Sequence, residues 1–216
     1  TSQTRATVVA LEGSRARRQS DVLATEEPLE IRLDLGQGAV SLVMTMRTPG
    51  ADFDLAAGFL FAEGIVRARE EIRQIRYCVD SERDGAQQYN VVTVDLRFED
   101  PQTRLHPRMF PVTGACGICG KSSLEAVSLA GLQPLPPGFH VPLEVLYTLP
   151  RVLRDRQRVF ARTGGLHAAA LFDATGNLIA LREDVGRHNA FDKLIGASAA
   201  DNMTLVTLRE KEREAE

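Results

Sequence analysis

The segment from Leu29 to Gly64 constrains the fold most, because within it the apolar period changes from two to that of a helix. Leu29, Ile31, Leu33 and Leu35 alternate onto one face, Gly36-Gln37-Gly38 supplies a turn, and Leu42, Met44 and Met46 resume the alternation. That pattern predicts a β-hairpin with one buried face. Asp52 to Phe61 then carries apolar residues at helical spacing, with Asp52 and Asp54 at its start and Gly64 beyond its end. Acidic residues complement the positive end of a helix, and glycine is suited to the turn that stops one. Ile72, Ile75 and Tyr77 predict a further strand, and Val92, Val94, Leu96 and Phe98 another, across a charged turn at Asp84-Gly85. The first half therefore reads as a small sheet with one helix, an α+β arrangement.

Prolines 101, 107 and 111 oppose both helix continuation and central strand pairing, so they mark a connector. A domain boundary is expected near residue 105. Beyond it the sequence predicts a cysteine loop, a helix from about Ser123, a proline-rich turn at Pro134-Leu135-Pro136-Pro137, and helical segments between Pro142 and Phe160 divided by Pro150. Leu166 to Phe172 and Leu178 to Leu181 read as strands around the turn Ala174-Thr175-Gly176-Asn177. Helices and strands in alternation predict a layered α/β domain. The expected organisation is a polar arm over residues 1–26, a small α+β domain over 27–105 and the α/β domain over 106–216.

A chain of 216 residues is long enough to bury a real core. Its formal charge of −3 and its 6% aromatic content oppose a broad surface for nucleic acid, and Arg15, Arg17 and Arg18 read as a solvated arm. No apolar run reaches bilayer length and the first residues lack a secretory signal, so the expectation is a cytoplasmic protein that does not engage a membrane. Three cysteines are too few for a disulfide framework. In a reducing compartment a close pair of thiols performs chemistry or binds metal. Cys78, isolated in Arg76-Tyr77-Cys78-Val79, reads as strand core.

The close pair is Cys116 and Cys119, in Thr113-Gly114-Ala115-Cys116-Gly117-Ile118-Cys119-Gly120-Lys121. Glycines around both thiols permit a sharp turn and leave the sulfurs uncrowded. Ser122-Ser123-Leu124-Glu125 follows with the spacing of a capping box, which puts Cys119 near the positive end of a helix beside Lys121. Both influences favour the thiolate, the form that attacks a persulfide or is released by reduction. Three other readings stand beside sulfur transfer. Half of a zinc site needs two more ligands, from His106, His140, His167 or a partner chain. A thioredoxin-type motif requires a different order of strand and helix, and an inert pair sits poorly with so many glycines.

Two further clusters suggest a ligand site. Thr163-Gly164-Gly165-Leu166-His167 puts two glycines and a histidine at the start of a strand of small residues, where backbone can approach a ligand. Arg187, His188, Asn189, Asp192 and Lys193 follow Glu183-Asp184-Val185-Gly186 in a strand-to-helix turn. The bland alternatives are a hydrogen-bonded histidine at a strand end and, for the turn, helix capping with a solvated face.

The sequence resembles the formate dehydrogenase accessory sulfurtransferases, the FdhD family. The matching pieces are Glu27-Pro28-Leu29, Thr48-Pro49, Gly58-Phe59-Leu60 with Glu63-Gly64, Gly114 to Gly120, Thr163 to His167 and Glu183 to Lys193. They run from about residue 26 to 196. The resemblance implies a homodimer whose second domain is cytidine-deaminase-like. It implies a protein that takes sulfur from a cysteine desulfurase and supplies it to the molybdenum cofactor, bis-molybdopterin guanine dinucleotide, destined for formate dehydrogenase. By that resemblance Cys116 carries the persulfide and Cys119 assists. Thr163, Gly164, Gly165, His167, Arg187, His188, Asn189, Asp192 and Lys193 are then candidates for the pocket of the cofactor's guanine nucleotide end, which a free guanine nucleotide would mimic.

A deaminase activity is excluded on chemistry, since Ala169 stands where His-x-Glu requires the acid and the cysteine pair precedes the histidine. After Gly196 the family continues to a Gly- and Arg-rich ending, whereas this chain passes through Met203-Thr204-Leu205-Val206 to a charged end, so the second domain is expected to be incomplete. The alternative function, from another class, is a chaperone that binds cofactor or apo-dehydrogenase without turning over sulfur.

Overall fold

A computed structural model describes residues 1–36, 38–78, 89–97 and 140–200, with side chains as far as 198. The Cys116–Cys119 loop, the proline-rich connector, the turn at Asp84-Gly85, the helix expected from Ser123 and the charged C-terminal end lie outside the described residues.

The predicted hairpin is formed by β3 (Glu27–Asp34) and β4 (Ala39–Arg47). Leu29, Ile31 and Leu33 are all buried, as the alternation requires. In β4 the outcome differs from the expectation of Leu42, Met44 and Met46 on one face. Ile31 pairs with Val43 and Arg32 with Ser41, so Leu42 is an extra residue in the ladder. A bulge of this kind reverses the facing of every later side chain. Leu42, Val43 and Arg47 are buried, whereas Met44 is 57% exposed.

β5 (Ile72–Tyr77) and β6 (Val91–Leu96) complete a four-stranded sheet of order β4-β3-β6-β5, in which β6 runs parallel to β3. Val92, Val94 and Leu96 occupy its buried face beside Leu29, Ile31 and Leu33. Cys78 follows β5, half-buried, and its N–H donates to the Val91 carbonyl. Helix α1 (Asp52–Ala62) covers the sheet through Leu55, Ala56 and Leu60. It ends as glycine at position 64 predicts. Gly64 adopts φ +73°, its N–H bonds to the Phe61 carbonyl, and Ile65 N–H reaches back to Leu60. Leu60 and Ile65 are both fully buried, which supplies the apolar contact that accompanies this cap.

The first 26 residues hold regular structure that the sequence does not advertise. β1 (Gln3–Glu12) and β2 (Arg15–Ala24) pair with each other as an antiparallel ribbon and join neither of the other sheets. With Val9 and Leu11 largely exposed, the ribbon has no strongly buried face to impose alternation.

In the second half, helix α2 (Leu143–Arg156) is continuous through Pro150. A proline in mid-helix removes one hydrogen bond, and Leu146, whose carbonyl loses that partner, is 45% exposed and open to water. The short α3 (Phe160–Thr163) leads to the hairpin of β7 (His167–Phe172) and β8 (Leu178–Asp184), and α4 (Arg187–Ala200) packs on both strands. Helix α4 also crosses α1 closely. A Cβ added at Gly58 would lie 1.8 Å from the Asp192 carbonyl oxygen, and one at Gly196 would lie 1.9 Å from that of Asp54. Sandwiched between the sheet and α4, α1 is apolar around most of its circumference, as a helix buried on two sides must be. Among the described residues no helix is long and apolar enough to cross a membrane.

Candidate functional site

The antiparallel register of β7 and β8 pairs His167 with Asp184, so the Thr163–His167 segment and the Asp184–His188 turn emerge at one end of the hairpin. The two clusters singled out in the sequence are therefore neighbours. Glu183 fastens the first of them. Its two carboxylate oxygens accept the N–H groups of Phe160 at 2.7 Å and Val159 at 3.0 Å, at the start of α3. Gly164 ends that helix with φ +67°, and its N–H bonds to the Phe160 carbonyl. The Thr163 hydroxyl donates to the Val159 carbonyl and accepts from Gly165 N–H, so Thr163 works within the chain turn. Gly164, Gly165 and His167 are exposed.

The second cluster is built around Asp184, whose side chain is fully buried. One carboxylate oxygen accepts Gly186 N–H at 2.8 Å and the Asn189 amide at 3.3 Å. The other accepts Thr48 N–H at 3.1 Å and the Lys193 ammonium at 2.7 Å. Lys193 also donates to the Thr48 carbonyl at 2.7 Å, and Val185 N–H donates to the Thr48 hydroxyl at 3.1 Å. Asn189 donates to the Met46 carbonyl at 2.7 Å and accepts from the Thr45 hydroxyl at 3.2 Å. A charge removed from water is tolerated when paired and hydrogen-bonded, and both members of the Asp184–Lys193 pair meet that condition.

This geometry divides the sequence candidates. Arg187 and His188 are exposed and, with His167, face solvent at the hairpin end. Lys193 is 1% exposed with its ammonium committed inside the protein, so the expectation that it touches a ligand is corrected: it holds the turn together. Asn189 is likewise spent on Met46, Thr45 and Asp184, so it ties the start of α4 to β4 rather than capping the helix. Asp192 lies one turn further along α4, half-buried. Burial, with the nearby Glu63 carboxylate adding to it, pushes its carboxyl up to about 7. Cys116 and Cys119 lie outside the described residues. Sequence reasoning missed Thr48 and Asp184 as organisers, although both stand in segments it had marked. The available signal was an acid at a strand end with a lysine nine positions on, at helical spacing from the turn.

Away from the hairpin end, a concavity of about 740 Å³ opens beside the first sheet and is lined by Glu27, Arg47, Tyr77 and Tyr89 among others. Arg47 is committed there to Asp52, through two hydrogen bonds of 3.0 Å, and to Tyr89 and Asn90. The Tyr77 hydroxyl donates to the same Asp52, and burial followed by the Asp52 charge pushes its pKa up to about 12. These groups are internal struts.

The hairpin end belongs to a layer that packs through α4 on α1, and α1 in turn covers the four-stranded sheet, so the described residues form a two-part α+β fold. The FdhD/NarQ family model matches residues 24–208, and this chain belongs to that family. Among curated relatives, the sulfur carrier protein FdhD of Mycolicibacterium paratuberculosis is 48% identical over 191 residues, covering 88% of this chain and 69% of the relative. That of Streptomyces coelicolor is 46% identical, covering 88% and 67%, and that of Anaeromyxobacter dehalogenans is 47% identical, covering 82% and 61%. The chain thus spans about two thirds of the length of the curated relatives it matches. A crystal structure assigned as a formate dehydrogenase accessory protein, from Desulfotalea psychrophila, superposes with a TM-score of 0.67 at 22% identity, over 93% of this chain and 70% of that one, and shares the fold.

Proposed function

We propose that this chain is a sulfurtransferase that accepts sulfur from a cysteine desulfurase as a persulfide on Cys116 and delivers it to the molybdenum cofactor required by formate dehydrogenase. The observation that carries this reading is family membership with relatives named as sulfur carriers, in a chain that keeps Cys116 and Cys119 in a glycine-flanked loop. The Cys116 thiolate attacks the outer sulfur of the donor persulfide. The donor's S–S bond breaks, its electron pair leaves with the donor thiolate, and Cys116 keeps the labile sulfur. Attack by the Cys119 thiolate on Cys116 Sγ then forms the Cys116–Cys119 disulfide and releases the outer sulfur as hydrosulfide to the acceptor. A cellular dithiol reductant returns the pair to thiols.

The acceptor is the substrate, bis-molybdopterin guanine dinucleotide. Its guanine nucleotide end is assigned to the hairpin end formed by Thr163, Gly164, Gly165, His167, Arg187 and His188. Exposed Arg187 supplies charge for a phosphate, and the exposed glycines let backbone approach. Asn189, Asp192 and Lys193 serve this edge from behind. The reading carries with it a homodimer acting in the cytoplasm.

The test is mass spectrometry after incubation with a cysteine desulfurase and cysteine. One added sulfur is expected on Cys116, and Cys116→Ala is expected to lose both the adduct and dehydrogenase maturation. Normal maturation by Cys116→Ala would instead establish a chaperone that binds without transferring sulfur.

A further inference from the structure

We propose that Asp184 and Thr48 are positioning residues that fix how Arg187 and His188 are presented, making the nucleotide edge a joint product of the two halves of the chain. The proposal rests on the nucleotide reading above. It starts from an imbalance in the turn: Arg187 and His188 are exposed, while the segment that carries them is held by buried groups on either side. Three successive anchors lie in this segment. Asp184 accepts Gly186 N–H, the Thr48 hydroxyl accepts Val185 N–H, and Asn189 is tied to Met46 and Thr45. Two of these three anchors belong to β4 or the residue just after it, far away in sequence.

Lys193 closes the arrangement. It neutralises Asp184 and binds the Thr48 carbonyl, so Thr48 is gripped through its N–H, its carbonyl and its hydroxyl together. A site whose outward side chains are set by locked residues behind them keeps its geometry without contacting the ligand through those residues. Arg187 and His188 cannot shift along α4 unless the start of the helix shifts, and that start is pinned to β4. Because Asp184 and Thr48 are 0% and 2% exposed, they reach no ligand themselves and act only through the turn.

The experiment compares Asp184→Asn, Thr48→Val and Thr48→Ser with the unaltered chain, using guanosine diphosphate as probe in calorimetric titration. Amide hydrogen exchange is read on the same samples. Thr48→Val keeps shape and loses the hydroxyl acceptor, whereas Thr48→Ser retains it. Asp184→Asn and Thr48→Val are expected to weaken the nucleotide about tenfold, the scale of one charge-assisted hydrogen bond to the ligand lost through misplacement of Arg187, with Thr48→Ser close to the unaltered chain. Exchange at Val185 and Gly186 is expected to accelerate in the two damaging variants while Leu33 and Val94 in the first sheet stay protected.

A matched control, Val94→Ala, lowers stability in the core and is expected to leave nucleotide affinity unchanged. Exchange rising uniformly through sheet and turn, or affinity falling equally in Val94→Ala, would reduce Asp184 and Thr48 to ordinary stabilising residues and overturn the proposal. Absence of nucleotide binding by the unaltered chain would overturn the nucleotide reading instead. The local exchange pattern and its rescue by Thr48→Ser then decide the positioning proposal by themselves.

Discussion

Burial on α4, with the charge of Glu63 adding to it, pushes the Asp192 carboxyl up to about 7 from an ordinary 3.8. Below pH 4 the carboxyl is neutral in both folded and unfolded chains and has no effect on their balance. Between about 4 and about 7 the unfolded chain gives up the proton and the folded chain keeps it, so folding stability falls as pH rises through that window and is level above it. Asp192→Asn removes the penalty. The variant is expected to be more stable than the unaltered chain at pH 8 by about 2 kcal/mol, after allowance for partial exposure, and to differ little at pH 4. Thermal melts of both proteins across that range check it; parallel curves would show that Asp192 ionises freely in the fold. At this scale the sequence was informative where chemistry is local. The stop of α1 at Gly64 and the hairpin turn at Gly176 both declare themselves through neighbours in the chain. Asp184 does not, because its partner Thr48 stands 136 residues away and only folding brings the two together.

The elements were legible where the apolar period is regular or turn residues bracket them. β3 and β6 follow the alternation of their apolar residues, α1 follows its helical spacing, and β7 and β8 fall on either side of the predicted turn. The failures share a cause: each is a contact or an irregularity that periodicity does not encode. The bulge at Leu42 changes which side chains of β4 face inward, and the β1–β2 ribbon lacks a buried stripe. The crossing of α1 and α4 was equally hidden, since two glycines 138 positions apart meet only in the folded chain. It yields a sharp expectation. Gly58→Ala and Gly196→Ala would each drive a methyl into backbone of the facing helix, which cannot yield as a side-chain tip does. Each is expected to cost about 3 kcal/mol, at the upper end for overpacking, and to lower Tm by about 6 °C or more. Once either methyl has forced the helices apart the second meets less resistance, so the double variant is expected to lose less than the sum of the two. Chemical denaturation of the three variants measures this; an unchanged midpoint for Gly196→Ala would remove the crossing as a determinant of the fold.

Across the whole molecule the two halves are joined by more than a connector. Helix α1 of the first half packs on α4 of the second, Arg182 of β8 pairs with Asp54 of α1 at 2.8 Å, and β4 is tied to the start of α4 through Thr48, Asp184 and Lys193. Separating them would leave the Asp184–Lys193 pair intact within the second half but strip it of the Thr48 N–H and carbonyl, and would leave Val185 N–H without the Thr48 hydroxyl. A hydrogen bond to a charged group contributes about 1.5 to 3 kcal/mol, more than the partly exposed Arg182–Asp54 pair does. A domain division at residue 105 that the proline spacing suggests is therefore one that unfolding should not respect. The described halves are expected to melt in a single transition, with calorimetric and van't Hoff enthalpies equal and with far-ultraviolet circular dichroism and tyrosine fluorescence superimposable. Lys193→Met is expected to lower the midpoint while the transition separates into two, because the apolar side chain leaves Asp184 charged and the Thr48 carbonyl unbonded at the seam. Two transitions in the unaltered chain would show that the seam is weaker than its hydrogen bonds imply, and that each half carries its own stability.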